Sequence, residues 1–153
     1  MPIDKFPFLR LGPDSPWQPM LLIELSNPAN GFSVPALALV DTGADDCVVP
    51  EFYASRLGHD LENCKGKPRE VMGIGGCAMA YTHTSGIKIF ATTGTCDDPH
   101  VDYNKVVYSQ EKVLINFVKG YNVPPALLGV KSFLKNFVVT LDYPNRNFSI
   151  KHP

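Results

Sequence analysis

The chain has 153 residues, 44% of them hydrophobic; at this length about 68–70% of the extended surface can be buried, enough for one core and too little for two. With 14 Lys and Arg against 15 Asp and Glu, the net charge of -1 steers neither nucleic acid nor an anionic membrane toward the surface. The longest uncharged apolar run is far shorter than a bilayer span, and Met1 to Asp14 lacks the apolar stretch of a signal peptide, so the expectation is a soluble protein, the cytoplasm favoured, with no nucleic-acid or membrane partner.

The first stretch, Pro2 to Pro19, carries five prolines and reads as an extended arm. Ile3, Phe6, Phe8, Leu9, Leu11 and Trp17 are too many large apolar side chains for a tail left in water. Met20 to Leu25 reads as a strand, followed by a turn around Asn30-Gly31, whose residue types accept the positive φ of hairpin turns. Phe32 to Val40 returns as a second strand and turns almost wholly apolar toward its end, as a central strand does. Pro50 to Leu57 suits one or two helical turns, with Pro50 near the start and Gly58 near the end. A strand from Arg69 runs into Gly73-Ile74-Gly75-Gly76. Cys77 to Thr82 and Gly86 to Thr92 follow as strands, then a polar interval, Thr93 to Asn104, expected to be a loop. Val106 to Tyr108 and Lys112 to Val118 read as further strands, Ser132 to Lys135 as a short helix, and Phe137 to Tyr143 and Phe148 to Ile150 as the last strands. Short strands punctuated by Gly, Pro and Asn mean mostly β.

The most informative run is Ala38 to Val49. Asp41 stands at the end of a buried apolar strand, where an unpaired charge is expensive. Thr42 can hold the loop through its hydroxyl, and Gly43 permits close backbone approach. Asp before Gly is by itself commonly a turn. The tetrapeptide Asp41-Thr42-Gly43-Ala44, however, arises by chance in a chain this long on the order of one time in a thousand.

In this run the chain resembles the retropepsin-like aspartic peptidases, the proteases of retroviruses and their bacterial relatives. The resemblance extends in order over most of Met20 to Ile150. Ala38 to Val49 matches the active-site signature, Val71 to Gly76 looks like the glycine-tipped flap, and Ala126-Leu127-Leu128-Gly129 is similar to the hydrophobic-hydrophobic-Gly element that threads the psi-shaped active-site structure. Ser132-Phe133-Leu134 and the strand to Tyr143 resemble the family's C-terminal helix and following strand. The fold so implied is mostly β: a single lobe of the retropepsin-like acid protease fold, forming a closed β-structure with one short C-terminal helix. Residues 1–17 would be the extended N-terminal arm and 18–153 the peptidase domain.

The resemblance further implies an aspartic-type endopeptidase with Asp41 as catalytic carboxylate and Thr42, Gly43 and Ala44 in support. Asp45, Asp46, Met72, Gly73, Ile74, Gly75, Gly76, Leu127 and Leu128 would meet the substrate, an extended polypeptide. No metal and no cofactor are required. Only one Asp-Thr-Gly or Asp-Ser-Gly occurs: Asp14-Ser15 is followed by Pro16 and Asp142 by Tyr143. A single motif in a single domain demands a two-fold homodimer, and the monomer should be dead. Retroviral members carry an Arg after the double-hydrophobic glycine that pairs with an Asp beyond the triplet and braces the dimer. Here Val130 and Lys131 stand in that place, so Asp45 and Asp46 need another partner, Lys131 or Arg146, and the dimer is expected to use other surfaces, such as the arm and the terminal strands.

Other constellations read more plainly. Gly73 to Gly76 lacks the Lys-Ser/Thr of a phosphate loop and suits a mobile hairpin tip. Cys96, Asp97, Asp98, His100 and Asp102 match no ligand spacing and suit a solvated loop. Cys47, Cys64, Cys77 and Cys96 are widely spaced and read as free thiols, Cys47 filling an apolar gap. Two alternatives stand beside the peptidase: a retropepsin-like dimer that grips peptide without cutting, or cuts only in an assembly, and a structural β-domain in which Asp41 merely holds a turn.

Overall fold

The computed structural model describes residues 2–63, 67–73 and 75–153. Ten strands occur among them: β1 (Pro2–Pro7), β2 (Met20–Ser26), β3 (Ser33–Val40), β4 (Cys47–Pro50), β5 (Arg69–Gly73), β6 (Gly76–Thr95), β7 (Asp98–Val118), β8 (Ala126–Leu128), β9 (Val138–Asp142) and β10 (Asn147–Lys151). A single short α-helix, α1 (Phe52–Arg56), follows β4.

Six strands form a closed ring. β2 pairs with β3, β3 with β8, β8 with β4, β4 with β7 and β7 with β6, and β6 returns to β2. Closure leaves one inner face, so alternate residues point inward. Leu21, Ile23 and Leu25 from β2, Val34, Ala36, Ala38 and Val40 from β3, and Val113, Ile115 and Phe117 from β7 fill it. β5 is an appendage outside the ring, pairing only with the first part of β6.

A second sheet of three strands, β1-β10-β9, lies beside the ring. The proline-rich arm supplies β1, pairing antiparallel with β10. Phe6 stacks on Phe148 with centroids 5.4 Å apart, and Phe8 meets the edge of Tyr143 at 5.1 Å. Phe6, Phe8 and Phe148 belong to the same core as the ring. Beyond β1 the chain folds back through mutual backbone bonds between Leu9 and Gln18, and the Arg10 guanidinium lies 4.3 Å from the centre of the Trp17 ring. Leu11 is exposed.

Three expectations need correction. β6 is one strand of 20 residues, without the break expected at His83 to Ser85. The polar Ser85-Gly86 pair marks a bulge against β7, and the Ser85 hydroxyl donates to the Ser26 carbonyl, which replaces the solvent a turn would have offered. The expected loop Thr93 to Asn104 is the far end of the β6–β7 hairpin, turned by Cys96-Asp97, with Thr95 opposite Asp98 and Ala91 opposite Asp102. Its residues are polar because this end projects past the core and most of it meets water, with only Cys96 and Val101 half-buried. The short C-terminal helix is a 3-10 turn, Leu134–Asn136, anchored by buried Phe133 and Leu134.

Candidate active site

The site grows from the end of β3. Val40 lies opposite Leu128 in a parallel pairing, while Val48 of β4 lies opposite Leu127 from the other side. β8 is thereby threaded between the two strands that flank Asp41, a psi-shaped crossing. The Asp41 N–H donates to the Leu128 carbonyl at 3.2 Å, the Gly43 N–H donates to Asp41 Oδ1 at 3.0 Å, and the Ala44 N–H donates to the Asp41 carbonyl at 3.2 Å. The main chain of Asp41 is therefore held at both its N–H and its carbonyl, and one carboxylate oxygen is held by Gly43. At Gly43 a Cβ would stand 3.3 Å from Asp41 Oδ1 and crowd the same oxygen.

Gly129 explains the glycine after the double leucine. A Cβ there would overlap the backbone of Asp46. The close crossing lets the Val130 N–H donate to the Ala44 carbonyl at 2.9 Å and the Lys131 N–H to the Asp45 carbonyl at 2.7 Å. Thr42 is exposed, and its hydroxyl makes no hydrogen bond among the described residues; the loop is held by main chain instead. Leu128 is a core side chain whose contribution to the loop is its carbonyl, and Leu127 is half-buried.

Both carboxylates after the triplet have cationic partners in the same chain. Lys131 Nζ lies 3.5 Å from Asp45 Oδ2, with both side chains largely in solvent. Arg69 Nη2 donates to Asp46 Oδ2 at 2.7 Å. Lys131 is one of the two cations expected from the sequence; Arg146, the other, lies over Trp17 at 5.4 Å. Arg69 was not foreseen, because it is 23 residues from Asp46 and reaches it only through the pairing of β5 with β6. Burial raises the Cys47 thiol to about 11, consistent with a neutral gap-filling side chain.

Tyr121 is a second residue the sequence did not single out. Its hydroxyl donates to the Pro125 carbonyl, and burial, then the nearby Asp41 charge, raise its phenol above the usual value. A tyrosine in a linker carries no motif, so no local signal marks it.

β5 and β6 form a hairpin in which Met72 lies opposite Cys77 and Gly73 opposite Gly76. Met72 is 85% exposed, an unusual state for a large apolar side chain. Gly75 sits in the turn, Gly76 has a φ of 112°, and among the described residues nothing beyond their chain neighbours lies within 4 Å of where a Cβ of Gly73, Gly75 or Gly76 would be. Ile74, expected to cap the substrate, and Cys64 lie outside the described residues. Cys47, Cys77 and Cys96 are free thiols. At the far hairpin His100 pairs with Asp98 at 3.1 Å, and no metal-binding group of His, Cys, Asp or Glu occurs among the described residues. No described helix is long and apolar enough to cross a membrane.

No protein-family model matches the chain, and no curated protein matches it in sequence. Solved structures do match. A retropepsin-like aspartic protease from Rickettsia conorii is similar over 96% of this chain and 98% of its own, with 19% identity and a TM-score of 0.54. The EIAV protease complexed with the inhibitor HBY-793 is similar over 78% of this chain and 88% of its own, with 17% identity and a TM-score of 0.42. The chain has the retropepsin-like fold.

Proposed function

We propose that this chain is one subunit of a homodimeric aspartic endopeptidase, with Asp41 and its symmetry mate as the catalytic pair. The observation that carries the reading is the setting of Asp41 at the psi-shaped crossing of a retropepsin-like fold, its Oδ1 held by the Gly43 N–H. One chain holds one such carboxylate at one such crossing. General acid–base hydrolysis of an amide needs two groups in opposite protonation states. Two like carboxylates in contact supply them, because the charge on one holds the proton on the other.

The ionised Asp41 takes a proton from water, whose oxygen attacks the peptide carbonyl carbon. The protonated partner donates to the carbonyl oxygen, giving a neutral tetrahedral diol. On collapse the Asp41 that took the proton from water gives it to the nitrogen as the C–N bond breaks, and a diol hydroxyl returns its proton to the partner carboxylate, leaving a carboxylic acid, an amine and the singly protonated pair. No covalent enzyme intermediate forms. The β5–β6 hairpin, with exposed Met72 near its glycine-rich end, would close over an extended polypeptide bound by strand-like main-chain hydrogen bonds. Asp45, Asp46 and Leu127 would border that cleft.

Hydrolysis of a peptide library by the wild type, abolished in Asp41→Asn, is the expected result. Peptide binding with no cleavage by the wild type would select the non-cutting dimer, and neither binding nor cleavage would leave Asp41 as a turn residue.

A further inference from the structure

Arg69 opens β5, opposite Ala80 in the register of the hairpin. Its guanidinium leaves the hairpin and crosses to the loop that carries Asp41, meeting Asp46 Oδ2 at 2.7 Å and Asn116 Oδ1 at 3.4 Å. Asn116, on β7, is 3% exposed. The Thr82 hydroxyl of β6 donates to the same Asn116 oxygen at 2.7 Å, while Asn116 Nδ2 donates to the Cys47 carbonyl at 3.1 Å. Asp46 in turn is pressed against Gly129. One connected set of polar contacts thus ties both strands of the hairpin to the active-site loop, through an asparagine that cannot relax into solvent.

We propose that Arg69 is a positioning residue that latches the root of the β5–β6 hairpin to the Asp41 loop through Asp46 and Asn116. Among the described residues β5 pairs with β6 alone, whereas β6 is tied to the ring through Ala80 opposite Val118 and the Met79 carbonyl, which accepts from the Lys119 N–H, so the ion pair is what holds the β5 side of the hairpin. A hinge needs a fixed end, and the ion pair supplies it at the point where the hairpin leaves the ring. Its half-exposed arginine keeps the contact sensitive to salt. Asp41 itself is held by Leu128 and Gly43, bonds that do not pass through Arg69. Loss of the latch therefore loosens the clamp on the substrate without unseating the carboxylate. The catalytic consequence rests on the peptidase reading; the latch itself does not.

The test uses hydrogen exchange on the full chain together with kinetics. In Arg69→Ala, amides of Val71 to Gly73 and Cys77 to Ala80 should exchange about 3- to 5-fold faster, the scale of a partly exposed, hydrogen-bonded ion pair, while amides of β3 stay unchanged. Raising salt should accelerate the same amides in the wild type and not in Arg69→Ala. The reciprocal pair Arg69→Asp with Asp46→Arg should restore protection that each single change removes. Against a cleaved peptide, KM should rise for Arg69→Ala with kcat within about twofold, since uniform binding and not transition-state chemistry is lost. Unchanged hairpin exchange, acceleration spread equally over β3, or no rescue by the reciprocal pair would overturn the latch. If Arg69→Ala does not fold, Arg69→Lys, which keeps the charge but loses the fork, gives the same readout at smaller size. A wild type that cleaves nothing would count against the peptidase reading, while the exchange result would still decide the latch.

Discussion

The imidazoles of His59 and His83 lie tilted at 36° to each other with centroids 4.4 Å apart, and both lean on Phe117, at 5.5 and 5.6 Å. His83 is buried in β6, and His59 sits just past α1, its N–H donating to the Ala54 carbonyl. Burial, then the facing His83, lower the pKa of His59 from 6.5 to about 4. The folded state resists a proton that the unfolded chain accepts near 6.5. The contribution of His59 to stability is thus fully present above that value and is lost as pH falls toward 4.

Replacing His59 by Phe keeps the ring and removes the proton site. Thermal melts between pH 7.5 and pH 4.5 should show a smaller drop in Tm for His59→Phe than for the wild type. Parallel curves for the two proteins would show that His59 is not a source of the acid sensitivity.

The N-terminal arm supplies core, not decoration. Phe8 is 1% exposed and contacts both Tyr143 and Phe148, so Phe8→Ala should cost about 3–5 kcal/mol in urea unfolding. Leu11, 45% exposed in the same arm, should cost no more than about 0.5 kcal/mol on conversion to Ala. Equal costs at the two positions would mean that β1 does not pack as described.

Residues that act on sequence neighbours were legible before the fold. The apolar alternation of Met20 to Leu25 and the run into Asp41 announced β2 and β3, because both patterns reflect one buried face. The order of Asp41, the glycine hairpin and Leu127-Leu128-Gly129 announced the crossing. What stayed hidden either carries no apolar pattern of its own or depends on partners distant in sequence. Thr93 to Asn104 lacks apolar alternation because most of that hairpin end is exposed, and its strands exist through each other. Arg69 and Asn116, 47 residues apart, carry no shared pattern.

The glycine of the crossing can be separated from those of the hairpin. Gly129→Ala would drive a methyl into the Asp46 backbone, which cannot move without disturbing the Asp41 loop, so a destabilisation of about 1–3 kcal/mol is expected, with loss of any peptidase activity. Gly73→Ala and Gly75→Ala meet open space and have no positive φ to strain them. Their melts should match the wild type within about 0.5 kcal/mol, any change falling on KM. A Gly129→Ala protein as stable as Gly75→Ala would show that the close approach to Asp46 is not maintained in solution.

In the proposed dimer, the pairing of Asp41 with its mate would make activity depend on protein concentration as well as on pH. Lys131 and Arg69 serve Asp45 and Asp46 within one chain, so neither carboxylate is left requiring a cation from a partner, and the proposed dimer would draw its stability from other contacts. Dilution should therefore lower specific activity at constant pH, since a separated subunit carries half a site. At fixed dimer occupancy the rate should be bell-shaped in pH. The acid limb follows removal of the first proton from the pair, and the alkaline limb follows removal of the second, held longer because its loss would leave two like charges in contact. Mixing tests the shared pair directly. Equal amounts of wild type and Asp41→Asn, allowed to exchange subunits, should leave about one quarter of the dimers with two aspartates. Activity per wild-type subunit should then fall to about half, because mixed dimers hold one carboxylate and cannot supply acid and base together. Full activity per wild-type subunit after complete exchange, or undiminished turnover in a demonstrated monomer, would mean that one Asp41 suffices and that the second catalytic group lies within the same chain.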